Sequence, residues 1–185
     1  RFYLDDVEIP NLNHFATQGT SGGPAGMINT DFLREVEFYS GSFPANRGNA
    51  LSSVVDMKLI DGSQDKTNAK LTLGASDYGF TLDGPLGKKT TYLVSVRRSY
   101  LKLLFSLLEL PFLPTYNDFQ VKARVNLTKK DQLTFIGLGA IDEFKLNLKA
   151  NETDQQRYIL NYIPVNEQWN YAVGVVYKHF RKNSY

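Results

Sequence analysis

The chain has 185 residues, enough for one domain of ordinary size or two small ones, and 42% of them are hydrophobic. Its 21 Lys and Arg residues nearly balance 19 Asp and Glu residues, so the net charge of +2 gives no electrostatic reason to expect a nucleic-acid partner. Cysteine is absent, which excludes disulfides, thiolate metal sites and cysteine nucleophiles. No stretch reaches the roughly 18 apolar residues of a transmembrane helix, whereas 12 Phe and 11 Tyr favour β-structure.

The first residues predict a strand followed by a flexible loop. Residues 2–9 have the composition of one strand that ends at Pro10. The loop at residues 19–26 is rich in glycine, but it lacks both the P-loop ending and the dinucleotide-binding spacing. We therefore expect a plain loop there rather than a nucleotide site.

The next stretch predicts one helical turn and two short strands. Asn29 offers N-cap chemistry for a helical turn through Phe32. Strands are predicted at residues 35–40 and 51–60. The turns between these strands are marked by two glycines, Gly41 and Gly48.

From residue 66 onward, apolar and polar residues alternate, as in strands with two different faces. The clearest run lies at residues 118–128, and residues 169–178 repeat the pattern. Each run is about ten residues long, which is what a tilted strand needs to cross an outer membrane, whereas soluble strands usually have five or six. A soluble β-sandwich or lipocalin-like barrel also alternates, so the pattern by itself leaves both classes open.

The connections between these runs alternate in length. Residues 87–89 and 128–131 predict tight turns, whereas residues 99–117 and 145–156 predict long loops. Short turns on one side and long loops on the other are typical of outer-membrane barrels. Aromatic residues stand near both ends of the last run, as interfacial girdles do: Trp169, Tyr171 and Tyr177.

The first long loop contains a second periodic signal. Three leucines and a phenylalanine at i, i+3, i+4 and i+7 predict a short amphipathic helix at residues 101–108. Pro111 and Pro114 are expected to end it. The helix either packs against the rim of its own sheet, which we favour, or contacts a partner or ligand.

Little in the sequence points to catalysis. The two histidines, His14 and His179, lie far apart, and no pair of residues has metal-ligand spacing. The position of His14 in a polar loop indicates a solvated residue or, alternatively, a contact to a bound ligand. The paired acids at residues 5–6 and 142–143 point to opposite faces of a strand, so we expect solvated strand ends rather than acid/base couples. We expect no enzyme activity, no metal and no cofactor.

The run from Phe32 to Met57 carries the most specific pattern of the chain: strand, glycine turn, second glycine turn, small-residue patch, strand. In order and spacing it resembles the C-terminal half of the plug domain of TonB-dependent outer-membrane receptors, in the form found in Bacteroidota. The chain departs from that pattern at Asp6, where glycine is usual, at Ser40 and Ser42 around Gly41, where many members carry Arg-Gly-Pro, and at Arg47, where tyrosine is common. The plug-motif residues are Glu35, Glu37, Gly41, Arg47, Gly48 and Asp56.

The resemblance implies a mainly β fold in two parts. Residues 1–64 would be the C-terminal part of a small α+β plug domain, and residues 65–185 the N-terminal strands of an antiparallel transmembrane β-barrel. These strands would be the first six or seven of a larger barrel of 22 strands. The chain begins without Met or a signal peptide and ends at residues 181–185 like a hairpin tip, so we expect a fragment.

The resemblance also implies active uptake of a scarce ligand (a siderophore, vitamin, glycan or peptide) across the outer membrane. Energy would come from the TonB complex through an N-terminal segment outside this chain. Other implied partners are outer-membrane lipid and a surface lipoprotein, with no nucleic acid. The alternative is a soluble β-rich ligand-binding or adhesion domain. The residues expected at the plug apex to contact the ligand are Asn11, Asn13, His14 and Gln18.

A plug inside a barrel must also contact the barrel wall. The small residues at positions 48–53 would let the chain approach the wall closely. Charged side chains would form a wet interface that is weaker than an apolar core. The expected pairs join Lys122, Arg124 and Asn126 of the strands with Glu35, Glu37 and Asp56 of the plug.

Overall fold

A computed structural model describes residues 1–16, 23 and 25–181. The chain is mainly β, with 53% of its residues in strands and 13% in helices, and it forms antiparallel sheets, which confirms the coarse fold class. The strands are β1 Phe2–Leu4, β2 Val7–Ile9, β3 Asn13–His14, β4 Ala25–Gly26, β5 Leu33–Tyr39, β6 Val54–Leu59, β7 Asn68–Leu73, β8 Asp77–Pro85, β9 Thr90–Ser99, β10 Phe112–Asn126, β11 Asp131–Leu146 and β12 Asn166–His179. The helices are α1 Leu101–Leu107 and α2 Asp154–Tyr162.

Residues 1–63, called the N-terminal unit below, contain a four-stranded sheet in the order β2-β1-β6-β5, in which β1 and β6 run parallel. The single strand predicted at residues 2–9 is wrong, because this stretch is the β1–β2 hairpin. Asp5 and Asp6 occupy its turn with φ of 46° and 71°, the left-handed conformation that a two-residue hairpin turn favours. Asp5 also accepts a hydrogen bond from the backbone N–H of Leu59 at 3.2 Å.

The segment from Asn29 to β6 contains the predicted helical turn and two strands, but the strands begin at other residues than predicted. The Asn29 side chain caps a 3-10 turn at residues 30–32, as expected. Strand β5 begins earlier than predicted and β6 begins later. The left-handed φ values in the two turns fall on Ser42 and Asn49, at 52° and 62°, rather than on the neighbouring glycines.

Strands β7 to β12 form a six-stranded antiparallel sheet in which neighbours in sequence are neighbours in space. Strands β10, β11 and β12 have 15, 16 and 14 residues, which is longer than the predicted runs. The connections at residues 86–89 and 127–130 lie at one end, the short-turn end, and the connections with α1 and α2 lie at the other, the long-loop end. Within the described residues the edge strands β7 and β12 do not pair, so this sheet is open.

Helix α1 confirms the predicted amphipathic helix, and it lies against β10, where the rings of Phe105 and Phe112 meet edge to face at 5.4 Å. Pro114 does not end this helix as predicted, because it lies within β10. Helix α2 was not predicted, although its capping box of Thr153 and Gln156 was a usable signal. No helix in the described ranges is long and apolar enough to cross a membrane.

The two faces of the six-stranded sheet differ in character. The inner face points toward the N-terminal unit, and polar residues such as Gln120 and Lys122 are buried there. The outer face is exposed, yet it is largely apolar, and Trp169 and Val173 are 72% and 73% exposed. A soluble antiparallel sheet normally buries its apolar face and exposes its polar one. The large apolar residues on the outer face include Leu71, Leu73, Phe80, Val96, Phe119, Phe135, Ile141, Trp169, Tyr171, Val173, Val175 and Tyr177.

An apolar core joins the N-terminal unit to the centre of the inner face. The contacts of this core hold the unit against the sheet. Around the core, polar side chains of the unit face polar side chains of the inner face. The buried residues of this core include Leu4, Met57 and Leu59 from the unit and Leu93, Ile136 and Leu138 from the sheet.

Candidate functional site

His14 lies at the interface between the N-terminal unit and the inner face, on the short ribbon formed by β3 and β4. Its side chain is completely buried. Nδ1 lies 2.6 Å from Asp142, Nε2 lies 3.0 Å from Asp118, and the ring stacks on Tyr116 at 4.1 Å between centroids. The expectation of a solvated loop residue is wrong, because carboxylates from two distant strands enclose the ring.

Both carboxylates have further partners. Asp142 Oδ2 accepts hydrogen bonds from the backbone N–H of Phe15 and from the side-chain amide of Gln168, each at 2.8 Å. Asp118 accepts from Arg97 Nε at 3.0 Å, and Arg97 also donates to a backbone carbonyl of β4 at 2.8 Å. These contacts join the β3–β4 ribbon to four strands of the sheet, β9 to β12. We call His14, Arg97, Asp118 and Asp142 the His14 cluster.

The surroundings of His14 favour its charged form. Burial by itself lowers the pKa of His14, but the hydrogen bonds to Asp118 and Asp142 outweigh it, so the pKa lies above its ordinary value of 6.5. With His14 protonated, the cluster holds two positive and two negative groups. Such a balance matters because an unpaired buried charge is costly.

Asn29 makes a second polar contact beside this cluster. Its backbone N–H donates to Gln120 Oε1 at 3.1 Å, and its side-chain amide donates to Ser95 at 2.8 Å. Gln120 and Ser95 are buried on β10 and β9. The residue that caps the 3-10 turn therefore also binds the unit to the sheet.

Lys122 joins the end of the N-terminal unit to β10. Its ammonium lies 2.9 Å from Asp5 and 2.9 Å from Asp61, and it donates to the carbonyl of Ile60 at 3.0 Å. Arg124 also pairs with Asp61. Burial by itself raises the pKa of Asp61, but Lys122 and Arg124 outweigh it and lower the pKa. The paired acids at residues 5–6 are therefore not the solvated strand ends that the sequence predicted.

Arg47 and Asp56, two of the plug-motif residues, meet inside the N-terminal unit. Arg47 is 5% exposed and donates twice to Asp56 Oδ2, at 2.8 and 2.6 Å. It also pairs with Asp6, and its guanidinium lies 4.4 Å from the ring centre of Tyr3. Asp6 in turn contacts Lys178 of β12 at 2.7 Å. Asp56 thus pairs within the unit rather than with the sheet.

Three cations act on Asp6. Burial by itself raises the pKa of Asp6, but hydrogen bonds from Lys178, Lys58 and Arg47 hold it well below its usual range. Asp6 and Arg47, at two of the three places where the chain departs from the plug pattern, are direct partners.

A polar cleft of about 140 Å³ lies between the N-terminal unit and the sheet, close to these ion pairs. Its lining includes Asp5, Lys58, Asp61, Lys122 and Lys178. A cleft of this size and polarity has room for water, so the charged part of the interface is not sealed from solvent.

The predicted apex residues do not share one open surface. His14 faces the buried carboxylates rather than solvent, so it is closed to a ligand in this arrangement. The Asn11 side chain donates to the carbonyl of Asn13 and accepts from its backbone N–H, both at 3.1 Å, and both residues are half-buried. Ligand contact by Asn11 and Asn13 stays a prediction. Gln18 lies outside the described residues.

The two plug-motif glutamates do not meet the sheet. Glu35 and Glu37 are exposed on β5. The predicted pairing of these residues with Lys122, Arg124 and Asn126 is therefore wrong, although Lys122 and Arg124 do pair with other acids of the unit.

The close approach predicted at residues 48–53 does not occur against strands β7 to β12, where these residues are exposed or half-buried. A Cβ atom added to Gly41 or Gly48 would meet nothing within 4 Å. The close approach occurs later, where a Cβ on Gly62 would lie 2.2 Å from the carbonyl oxygen of Tyr92 in β9. Glycine is needed at that point because the backbone passes directly against the strand.

Sequence reasoning missed Arg97, Asp118 and Asp142 as site residues, and it placed Asp142 at a solvated strand end. One sequence signal could have identified these residues. Each is a charged residue on the face of an alternating strand that points toward the rest of the protein, where the core of a soluble protein would have an apolar residue. In the described part of the chain, no group of three or more His, Cys, Asp or Glu residues has the arrangement of a metal site.

No protein-family model, curated protein or solved structure matches this chain.

Proposed function

We propose that this chain is part of a TonB-dependent outer-membrane receptor that takes up a scarce ligand. The N-terminal unit is the C-terminal half of the plug, and strands β7 to β12 belong to the wall of a larger transmembrane barrel of 22 strands. The TonB complex supplies the energy through a segment outside this chain.

The exposed apolar outer face carries the proposal. It extends over all six strands, while charged and polar side chains are buried on the inner face. Water disfavours an apolar surface of this extent, whereas lipid favours it, and an outer-membrane barrel has an apolar exterior around a polar interior. This arrangement supports a lipid-facing wall.

Strand lengths support the same proposal. Strands β10 to β12 have 15, 16 and 14 residues, which at roughly 3.3 Å per residue is about 50 Å. A tilted strand needs about ten residues to cross the hydrocarbon layer, so these strands extend beyond it. Trp169 and Tyr171 stack at 5.4 Å near the long-loop end of the outer face, where an aromatic girdle would meet the membrane interface.

The interface between the unit and the sheet suits a plug that shifts. An apolar core positions the unit, but much of the surrounding contact consists of ion pairs and hydrogen bonds next to a polar cleft. Water can replace such contacts at a limited net cost, since exchanging a protein hydrogen bond for a solvent one changes the free energy by about 0.5–1.5 kcal/mol, or by about 1.5–3 kcal/mol where a charged group takes part.

The competing function is a soluble β-rich ligand-binding or adhesion domain. Such a domain would need a partner that covers the whole outer face, because that face exposes large apolar residues on every strand. Cell fractionation distinguishes the two functions. The receptor sediments with the outer membrane and needs detergent for extraction, whereas the soluble domain remains in buffer.

Growth of a deletion strain tests the uptake itself. Cells that lack the intact protein are grown with limiting siderophore-bound iron, cobalamin, a glycan or a peptide as the single source of that nutrient. We expect one of these conditions to require the protein and to require an intact TonB complex. Recovery of the protein in the soluble fraction, with unchanged growth in every condition, contradicts the proposal.

A charge on the outer face tests the lipid contact directly. Val173→Arg places a cation near the middle of β12, and in lipid this costs about 2–4 kcal/mol of folding free energy. The measurement is the free energy of folding of the intact protein into lipid vesicles. The matched control is Leu148→Arg, at a position 70% exposed in the long loop after β11, which should change little. Equal effects of the two substitutions would exclude a lipid-facing β12.

A further inference from the structure

The His14 cluster has a charge arrangement that depends on one proton. Asp118 and Asp142 are buried, and ionised carboxylates only accept hydrogen bonds. Nδ1 and Nε2 of His14 lie within hydrogen-bonding distance of one carboxylate each. An imidazole donates from both nitrogens only when it is doubly protonated. The geometry is therefore that of an imidazolium held between two carboxylates.

Few other groups can compensate the charges of the cluster. Among the described residues, Arg97 faces Asp118 from β9, while Asp142 receives neutral donors from Phe15 and Gln168. Tyr116 covers the ring of His14, and its hydroxyl donates to Asp77 at 2.5 Å rather than to the cluster. Loss of the His14 proton would leave two carboxylates against one guanidinium in a buried site.

Deprotonation also breaks a hydrogen bond. A neutral imidazole keeps one N–H, so one ring nitrogen would direct its lone pair at a carboxylate about 3 Å away. The repulsion acts across the interface, because His14 belongs to the N-terminal unit and both acids belong to the sheet. Moving the ribbon away from the sheet lets water reach all three groups and relieves the repulsion.

We propose that His14 is the positioning residue that docks the N-terminal unit on the sheet, as an imidazolium shared between Asp118 and Asp142, and that docking weakens when this proton is lost. The inference deepens the proposed function, since it names what holds the plug in its resting position. The contacts of His14 would have the same effect in a soluble protein, so docking can be tested without measuring uptake.

The direction of the pH effect follows from proton linkage. The pKa of His14 is raised in the docked state, so its contribution is complete below the ordinary value of about 6.5 and is lost as the pH rises through the docked pKa. Between the ordinary pKa of His14 and its pKa in the docked state, the equilibrium constant for docking of the N-terminal unit on the sheet falls about tenfold per pH unit.

Spin labels measure docking without reference to transport. The intact protein carries labels at Leu51→Cys in the unit and Lys129→Cys in the β10–β11 turn, both at exposed positions of a chain without cysteine. The distance distribution between the labels is followed in urea, between about pH 5 and about pH 9, where histidine titrates but lysine does not. We expect the urea concentration at half-undocking to fall as the pH rises above about 6.5.

Asp142→Asn is the informative variant, because it keeps the shape of the side chain. The introduced amide can donate to Nδ1 of a neutral His14, while its oxygen still accepts from Phe15 and Gln168. Docking should therefore persist and lose most of its pH dependence. His14→Ala should undock at lower urea at every pH below about 6.5, with little remaining pH dependence.

His179→Gln is the matched control, since it removes the other histidine, which contacts Asp131 at the exposed end of β12. It should leave the pH dependence of the parent protein unchanged. ¹⁵N spectra of histidine-labelled protein give the protonation state of the ring directly, and both His14 nitrogens should carry protons at neutral pH. A neutral His14 ring in the docked protein, or an undiminished pH dependence in Asp142→Asn, overturns the proposal.

Discussion

Asp6 and Arg47 break the plug pattern at two distant positions and form an ion pair with each other. Asp6 has a φ of 71°, where glycine would be less strained, and its carboxylate reaches Arg47 and Lys178. Arg47 places its guanidinium over the ring of Tyr3. Each of the two residues therefore has its charge compensated in part by the other.

A double-mutant cycle tests this coupling. Asp6→Gly and Arg47→Tyr each restore the usual residue of the pattern, and each leaves a buried or half-buried charge with fewer partners. We expect the two substitutions together to destabilise the protein less than the sum of the single changes, with an interaction of about 1–3 kcal/mol. The measurement is the free energy of unfolding of the four proteins under one set of conditions.

The control for the cycle pairs Asp6→Gly with Arg157→Tyr on α2, at the long-loop end. Arg157 contacts Asp154 of its own helix, so these two changes should add within about 0.5 kcal/mol. Strict additivity of Asp6→Gly with Arg47→Tyr would show that the two departures are unrelated.

At the scale of elements, prediction from sequence succeeded where the signal was local. Helix α1, the Asn29 cap and the alternation of β10 and β12 depend on neighbours within a few residues. The β1–β2 hairpin was missed because its turn uses Asp5 and Asp6 instead of a glycine. Pro114 was misplaced because proline is tolerated in a strand when its missing N–H has no ladder partner.

Strand β2 passes directly against β12, and a disulfide can trap this contact. A Cβ on Gly174 would lie 3.0 Å from the Cβ of Val7, close to the spacing of roughly 3.5–4.5 Å in disulfides. Val7→Cys removes the methyl groups that would otherwise block a side chain at position 174. We expect Val7→Cys with Gly174→Cys to cross-link on mild oxidation, as seen by gel mobility with and without reductant.

Val7→Cys with Val175→Cys is the matched pair for this experiment. Val175 lies on the outer face, so its side chain points away from the N-terminal unit. Cross-linking at 175 but not at 174 would mean that the unit lies on the opposite face of the sheet. If the unit is a plug, the 7–174 bond should also stop uptake until it is reduced.

At the scale of the whole molecule, the apolar surface is divided between two places. Part of it is buried in the core between the N-terminal unit and the sheet, and the rest faces outward on β7 to β12. The ion pairs lie around the core, on the same side of the sheet as the unit. If the chain belongs to a barrel wall, as we propose, lipid covers the outward-facing apolar surface.

Hydrogen exchange of the intact protein tests closure of the barrel. In a closed barrel the amides on the free edges of β7 and β12 are paired, so they should exchange as slowly as those of β10. Strand β5, at the edge of the N-terminal sheet, is the internal comparison, and its outward amides should exchange on the order of 100-fold faster. Rapid exchange along β12 would contradict a wall that continues beyond this sheet.

The sequence by itself determined the β class, the two alternating faces and the run that resembles a plug, because each depends on spacing within one segment. Tertiary structure alone decided the partners of the charged residues between the N-terminal unit and the sheet. His14 meets Asp118 and Asp142 across separations of 104 and 128 residues, and Lys122 meets Asp5 and Asp61. A charged side chain does not encode which opposite charge it will meet, since that depends on how the N-terminal unit docks and on the register of strands far away in sequence.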